Sequence, residues 1–151
     1  MIVVDKLLPM AGVIVGGLLT YITQSAIYKR NIQQEKYKYQ REILIEKLEM
    51  YNEILKIEGY YVLEKMNGRF GLDFEFDIYK DNVRPVIFSK YHLLNKEMSN
   101  KIKEIDKCLA SLIQFDDISK YDNDRALNEF YEFIRLIEKE IDNFRNESNI
   151  I

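Results

Sequence analysis

The sequence predicts an all-α fold: an N-terminal transmembrane helix running into a long helix, then an antiparallel three-helix bundle. Three observations carry that prediction. The stretch Leu7–Ile27, LLPMAGVIVGGLLTYITQSAI, holds no charged residue. From Tyr28 to Glu58 the chain contains neither Gly nor Pro. Two later stretches repeat apolar residues at alternating spacings of three and four, the signature of an amphipathic helix. The expected organisation is an anchor over residues 1–27, a basic helical neck over 28–41 and a helical bundle over 42–151.

The first segment is long enough to span a bilayer. Its 21 residues match the about 20 that a helix rising 1.5 Å per residue needs to cross a core of roughly 30 Å. Pro9 falls in the first turn, where a missing N–H costs little. The far end is wetter, with Thr20, Tyr21, Thr23, Gln24 and Ser25. Thr and Ser can return their hydroxyls to the helix backbone, which suits an interface. Tyr21 and Tyr28 lie seven apart, where interfacial aromatics would sit. Two other readings compete. A cleaved signal peptide would have a weak basic start, since Asp5 offsets Lys6, and its nearest small-x-small site is Thr23-Gln24-Ser25. A buried core helix would need a larger partner domain than the remaining chain provides.

Charge then orients the anchor. The chain carries a formal charge of −3, which averages two opposed parts. Residues 28–41 hold Lys29, Arg30, Lys36, Lys38 and Arg41 against Glu35, a net of +4, while residues 42–151 hold −7. Residues 1–6 sum to zero. The positive-inside rule places the N-terminus outside and the C-terminal part in the cytoplasm of a single-pass cell-membrane protein. The five basic residues of the collar are candidates for lipid headgroup contact. The alternative is a stop-transfer flank and nothing more. Gly12, Gly16 and Thr20 are spaced by four and share one helix face. Small residues so spaced let membrane helices pack closely, and Gln24 continues the face. Glycine tolerance in membrane helices is the competing explanation.

Past the anchor, Leu44, Leu48, Tyr51, Leu55 and Val62 form a heptad-like seam interrupted by Glu58. Ile43, Met50 and Ile57 broaden it to the stripe of a bundle helix. Residues 28–41 lack a clear apolar stripe and are expected to form an exposed neck, with pairs such as Glu35 with Tyr39 or Lys38. Residues 59–66 are expected to continue the helix. Asn67-Gly68 signals a turn, and Gly71 follows it. FEFDIYKDNV alternates like a strand, but a lone strand is unstable, so a short helix is preferred. Arg84-Pro85 reads as a boundary, with Pro85 opening a short helix, VIFSKYHLL. Asn95 is a good N-cap for a helix ending near Phe115 and carrying Met98, Ile102, Ile105, Leu109 and Leu112 inward. DDISKYDND reads as a polar loop. Asp122 or Asn123 can cap the last helix, whose stripe is Leu127, Phe130, Ile134, Ile137, Ile141 and Phe144. The tail NESNII should fray.

Little in the sequence points to chemistry. One Cys and one His leave no disulfide framework and no ordinary zinc cluster. His92 lies in KYHLLN with no nucleophile pattern around it, and reads as a packed or capping side chain. Cys108 neighbours core positions and reads as a small hydrophobe rather than a reactive thiol. Asp116, Asp117, Asp122, Asn123 and Asp124 crowd one loop, but without the central Gly and closing Glu of a calcium loop. Gly68 and Gly71 do not form a phosphate-cradling loop. No catalytic, cofactor or metal residue is expected, and the acidic C-terminal part argues against nucleic acid.

LLPMAGVIVGGLLTY, then a basic Tyr-rich helix, then EKLEMYNEIL, resembles small single-span membrane proteins of bacteria and their phages over about the first 55 residues. That resemblance implies no site residues. The functional expectation is a membrane-tethered, non-enzymatic interaction or assembly protein, in a mobile-element or phage-defence setting. Its partners would be membrane lipids and a second copy or another protein. The alternative expectation is a pore-forming or holin-like effector.

Overall fold

The computed structural model describes the backbone of residues 2–61, 63–66, 72–115 and 118–148, and the side chains of 16–61, 63, 72–115 and 118–146. The chain is mostly helical, as expected. It divides into two units, Met1–Ile43 and Leu44–Ile151.

Helix α1 runs from Ile2 to Tyr60. Within the first unit it belongs to that unit alone, and its side chains from Gly16 on are almost all exposed. Among the described residues no helix is long and apolar enough to cross a membrane. The side chains of residues 1–15 lie outside the described residues, and with them the most apolar part of the expected anchor, including Gly12.

The second unit is the bundle. It is built from the end of α1, α4 (Lys96–Phe115) and α5 (Lys120–Ser148). Met50, Tyr51 and Ile54 of α1 are buried against Met98, Ile102 and Ile105 of α4 and Phe133 and Ile137 of α5. Ile54 lies outside the heptad-like seam read from sequence, yet it is fully buried. Truncating such a side chain to Ala costs about 2–5 kcal/mol. Cross-links give the directions. Lys101 pairs with Glu129 and Glu104 with Arg125, so α4 and α5 are antiparallel. Lys47 and Tyr51 meet Glu140. Leu72 and Phe74, beyond the end of α1, meet Asn123. Helix α5 therefore runs against α1 as well, and α1 lies parallel to α4. The residues between them carry the chain back the length of the bundle, as a crossover connection does.

That connection departs from expectation in three ways. Helix α1 stops at Tyr60, and residues Glu64–Met66 form strand β1. Leu72–Phe74 form β2, paired antiparallel to β1 with Glu64 opposite Phe74. Of FEFDIYKDNV only Phe74 belongs to the strand; from Phe76 on it is helical, as the preferred reading had it. Asn67-Gly68 and Gly71 lie outside the described residues. Next, α2 (Phe76–Ile78), a π-helical turn (Tyr79–Val83) and α3 (Arg84–Ser89) follow one another without a break. Arg84 is helical, at φ −57° and ψ −44°, so Arg84-Pro85 is no boundary. The reason is the π turn, whose Arg84 N–H reaches the Tyr79 carbonyl. Widening the coil just before Pro85 relieves the clash of its ring with the preceding turn.

Both long bundle helices start on side-chain caps. Asn95 Oδ1 accepts the Met98 N–H at 2.8 Å, as the sequence predicts. Helix α5 is capped by Ser119, not by Asp122 or Asn123. Ser119 Oγ accepts the Asp122 N–H at 3.1 Å and donates to Asp122 Oδ2 at 2.7 Å. Asp122 thus returns to the hydroxyl of the cap, where a capping box would return to its backbone N–H. The expected polar loop is correspondingly shorter, because residues from Lys120 on are helical. At the other end α5 reaches Ser148, past the start of the tail expected to fray.

Candidate functional site

The residues singled out for function lie in the first unit. Leu18, Leu19, Ile22 and Ile27 are each more than half exposed, and so are Tyr21 and Tyr28. A helix segment without charges that shows several large apolar side chains is an exposed apolar surface suited to contact. Thr20 Oγ1 donates to the Gly16 carbonyl at 2.8 Å, and Thr23 Oγ1 to the Leu19 carbonyl at 2.8 Å. Both hydroxyls are thus satisfied within the helix, the arrangement that lets Thr sit in apolar surroundings. A Cβ added at Gly16 or Gly17 would meet nothing within 4 Å. Packing inside this chain therefore does not call for glycine at either position. The side chain position of Gly12 is outside the described residues, so the face is seen only at Gly16 and Thr20.

The collar residues Lys29, Arg30, Lys36, Lys38 and Arg41 are all exposed on α1. Tyr37 and Tyr39 stand among them, 71% and 64% exposed. Basic side chains interleaved with exposed aromatics are suited to a lipid interface, where amphipathic rings and cations both find partners.

The bundle's polar groups are occupied in joining its helices. Glu140 of α5 accepts from Lys47 Nζ at 2.5 Å, Tyr51 Oη at 2.8 Å and Asn95 Nδ2 at 2.7 Å. One carboxylate thereby ties α1 and the N-cap of α4 to α5. Burial alone pushes the Glu140 carboxyl up, but hydrogen bonds from Lys47 and Tyr51 outweigh it, and the group is held below its ordinary value. Tyr51 is raised far above its usual range, by burial first and by Glu140 second. A second joint centres on Asp106 Oδ1, which accepts from Tyr79 Oη at 3.1 Å and Arg84 Nε at 3.0 Å. Arg84 also stacks over Phe88, 4.3 Å from the ring centroid. Tyr79 is raised by burial and then by Asp106.

The remaining candidates fall out as follows. Cys108 is buried, and burial pushes its thiol up, the character of a small hydrophobe. His92 is exposed on a short turn of 3-10 helix (Tyr91–Leu93), not packed. Its apolar neighbours in sequence do not close over it because such a turn brings only every third side chain to one side. In the acidic loop, Asp116 and Asp117 lie outside the described residues. Asp122 serves the cap of α5, and Asn123 is buried against strand β2. Among the described residues no three His, Cys, Asp or Glu side chains gather as metal ligands would.

No family model, no curated protein and no solved structure matches the chain.

Proposed function

We propose that the protein is a membrane-tethered interaction or assembly protein, with no enzymatic role. Residues 7–27 would form the tether, the neck would meet headgroups, and the bundle would present a folded surface to partners in the cytoplasm. The observation that carries the reading is the exposure of Leu18, Leu19 and Ile22 on a segment without a charge. Water would be a costly medium for them, at about 25 cal/mol per Å² of apolar area, whereas lipid is not. The basic neck that follows supports an orientation with the bundle inside. Gly16 and Thr20, open on one side, would allow a second helix to approach in the bilayer.

The bundle supports an adaptor more than a pore-former, because it is a complete core of its own with both long helices capped. Its carboxylates Glu140 and Asp106 are engaged in structural joints, which favours contact over catalysis. Protease treatment of intact spheroplasts tests the orientation. The basic neck offers several trypsin sites, and the reading expects cleavage only after lysis. Cleavage in intact spheroplasts would overturn the proposed topology.

A further inference from the structure

The cations of the neck favour one side of the helix. At about 100° of turn per residue, Lys29, Arg30, Lys36 and Arg41 fall within an arc of about 140°. Between residues 28 and 43 the rest of that arc is Gln33, Gln40 and Tyr37, with no acid and no aliphatic residue. Glu35 and Glu42 lie on the opposite side, and Lys38 stands beside them. All four cations of the arc are exposed, and among the described residues none of them is ion-paired.

Helix α1 is unbroken from Ile2 to Tyr60, so distance from the uncharged segment follows from residue number. Lys29 and Arg30 lie within one turn of Ile27. Lys36 and Arg41 lie about 13 Å and 21 Å beyond it along the axis, at 1.5 Å per residue. On a helix standing upright in a bilayer, both would be past the about 8–10 Å over which exposed charges act at physiological salt. A positive-inside collar needs charge near the span, and makes no demand on which side of the helix carries it. A leaning helix does make that demand. At a tilt of about 40°, the upper end for membrane spans, Lys36 and Arg41 come to about 10 Å and 16 Å from the level of Ile27. Their long side chains, on the lower face, reach down from there.

We infer that the arc of Lys29, Arg30, Lys36 and Arg41 is a docking face for anionic phospholipid headgroups, and that the neck leans so that this side faces the membrane. Charge selects the occupant. Four unpaired cations on one side meet phosphates, and Glu35 and Glu42 are turned away from them. Gln33, Gln40 and Tyr37 add hydrogen-bond donors between the cations. With no aliphatic side chain in the arc, a partner helix would find little there to bury. The inference rests on the tether reading, which puts the neck beside the bilayer. It adds which side of the neck the lipid takes, and which lipid.

The test places the full chain in nanodiscs of phosphatidylglycerol or of phosphatidylcholine and labels single cysteines with a water-soluble maleimide. Gln33→Cys lies in the middle of the basic arc, and Asn31→Cys lies on the acidic side, two residues nearer the span. The wild type, whose Cys108 is buried, gives the background. In phosphatidylglycerol, Gln33→Cys should label several-fold more slowly than Asn31→Cys, although it is farther from Ile27. The difference should vanish in phosphatidylcholine, and also in phosphatidylglycerol once Lys36→Glu and Arg41→Glu are added. Equal labelling in phosphatidylglycerol, or faster labelling of Gln33→Cys, would mean an upright neck and overturn the inference, while incorporation of the chain would keep the tether. Protection of Gln33→Cys that persists in phosphatidylcholine would give the face to another protein chain and overturn it too. A chain that enters neither nanodisc would overturn the tether, and the docking face with it.

Discussion

Asn123 completes the hydrogen bonding of a strand it does not belong to. Its Oδ1 accepts the Phe74 N–H at 2.8 Å, and its Nδ2 donates to the Leu72 carbonyl at 3.1 Å. The outward groups at the two ends of β2 are thus bonded by a side chain from α5, as a neighbouring strand would bond them. The ribbon is too short to stand alone, and this contact docks it on the bundle. Phe74 follows it into the core, in ring contact with Phe76, Tyr79 and Phe130.

Asn123→Ala should therefore destabilise the bundle well beyond an ordinary surface change. It leaves a buried backbone N–H unsatisfied, a loss of about 1–3 kcal/mol. Urea denaturation followed by circular dichroism would measure it. A change below about 0.5 kcal/mol, the usual surface value, would show that the contact does not hold the ribbon.

The Glu140 joint predicts acid sensitivity. Its carboxyl lies below the ordinary 4.5 in the folded chain and returns to that value on unfolding. Its stabilising contribution is complete above pH 4.5 and is lost as pH falls through the lowered folded value. Glu140→Gln should flatten the fall in stability over that acid range relative to wild type. Identical pH profiles for the two proteins would mean the joint is idle.

Tyr51 and Tyr79 predict the opposite limb. Both are raised above the ordinary 10.0 in the folded chain, so their contribution is complete below pH 10.0 and is lost as pH rises toward the folded values. The phenolate absorbance of these two rings, read as the difference between wild type and a Tyr51→Phe, Tyr79→Phe variant, should appear in step with loss of helix. Tyr51→Phe with Tyr79→Phe should make stability less steep in pH above about 10. A wild-type-minus-variant phenolate difference that appears before the helix is lost would contradict the burial described for these rings.

Cys108 should be silent toward thiol reagents in the native chain and label fully in denaturant. Its thiol is buried and pushed up by that burial, and thiolate is the reacting form. Native labelling at the rate of a free thiol would remove it from the core.

Gly16→Ile is predicted to leave the melting of the bundle unchanged, since a Cβ at Gly16 meets nothing within 4 Å. It should reduce cross-linking between copies through Thr20→Cys if the Gly16 and Thr20 face packs helices in the membrane. Undiminished yield would leave that face without a role.

The fold's long elements were legible because their signals are repetitive. Met98, Ile102, Ile105 and Leu109 recur along α4 and are buried as their spacing predicts. The connection was not legible, because its structure depends on partners distant in sequence. Glu64–Met66 turns to strand through pairing with Leu72–Phe74, and Asn123 binds that strand from 49 residues away. Local propensity cannot register either contact. The polar joints were missed for the same reason: Glu140, Tyr51 and Asn95 meet only once three helices are packed. Ile54 was missed differently. It lies four residues after Met50, on the same helix face, but a seven-residue template passes over it. In the collar and anchor the structure adds exposure to what charge and hydropathy already outlined.

The most direct test of the central claim is flotation of the full chain with membranes on a density gradient after an alkaline wash. The tether account predicts that the wild type floats with the membranes. It predicts that Leu18→Arg with Ile22→Arg, two exposed positions outside the bundle core, leaves the chain folded but in the dense, lipid-free fractions. Wild-type chain recovered in the lipid-free fractions, or a double variant that floats as well as wild type, would contradict it.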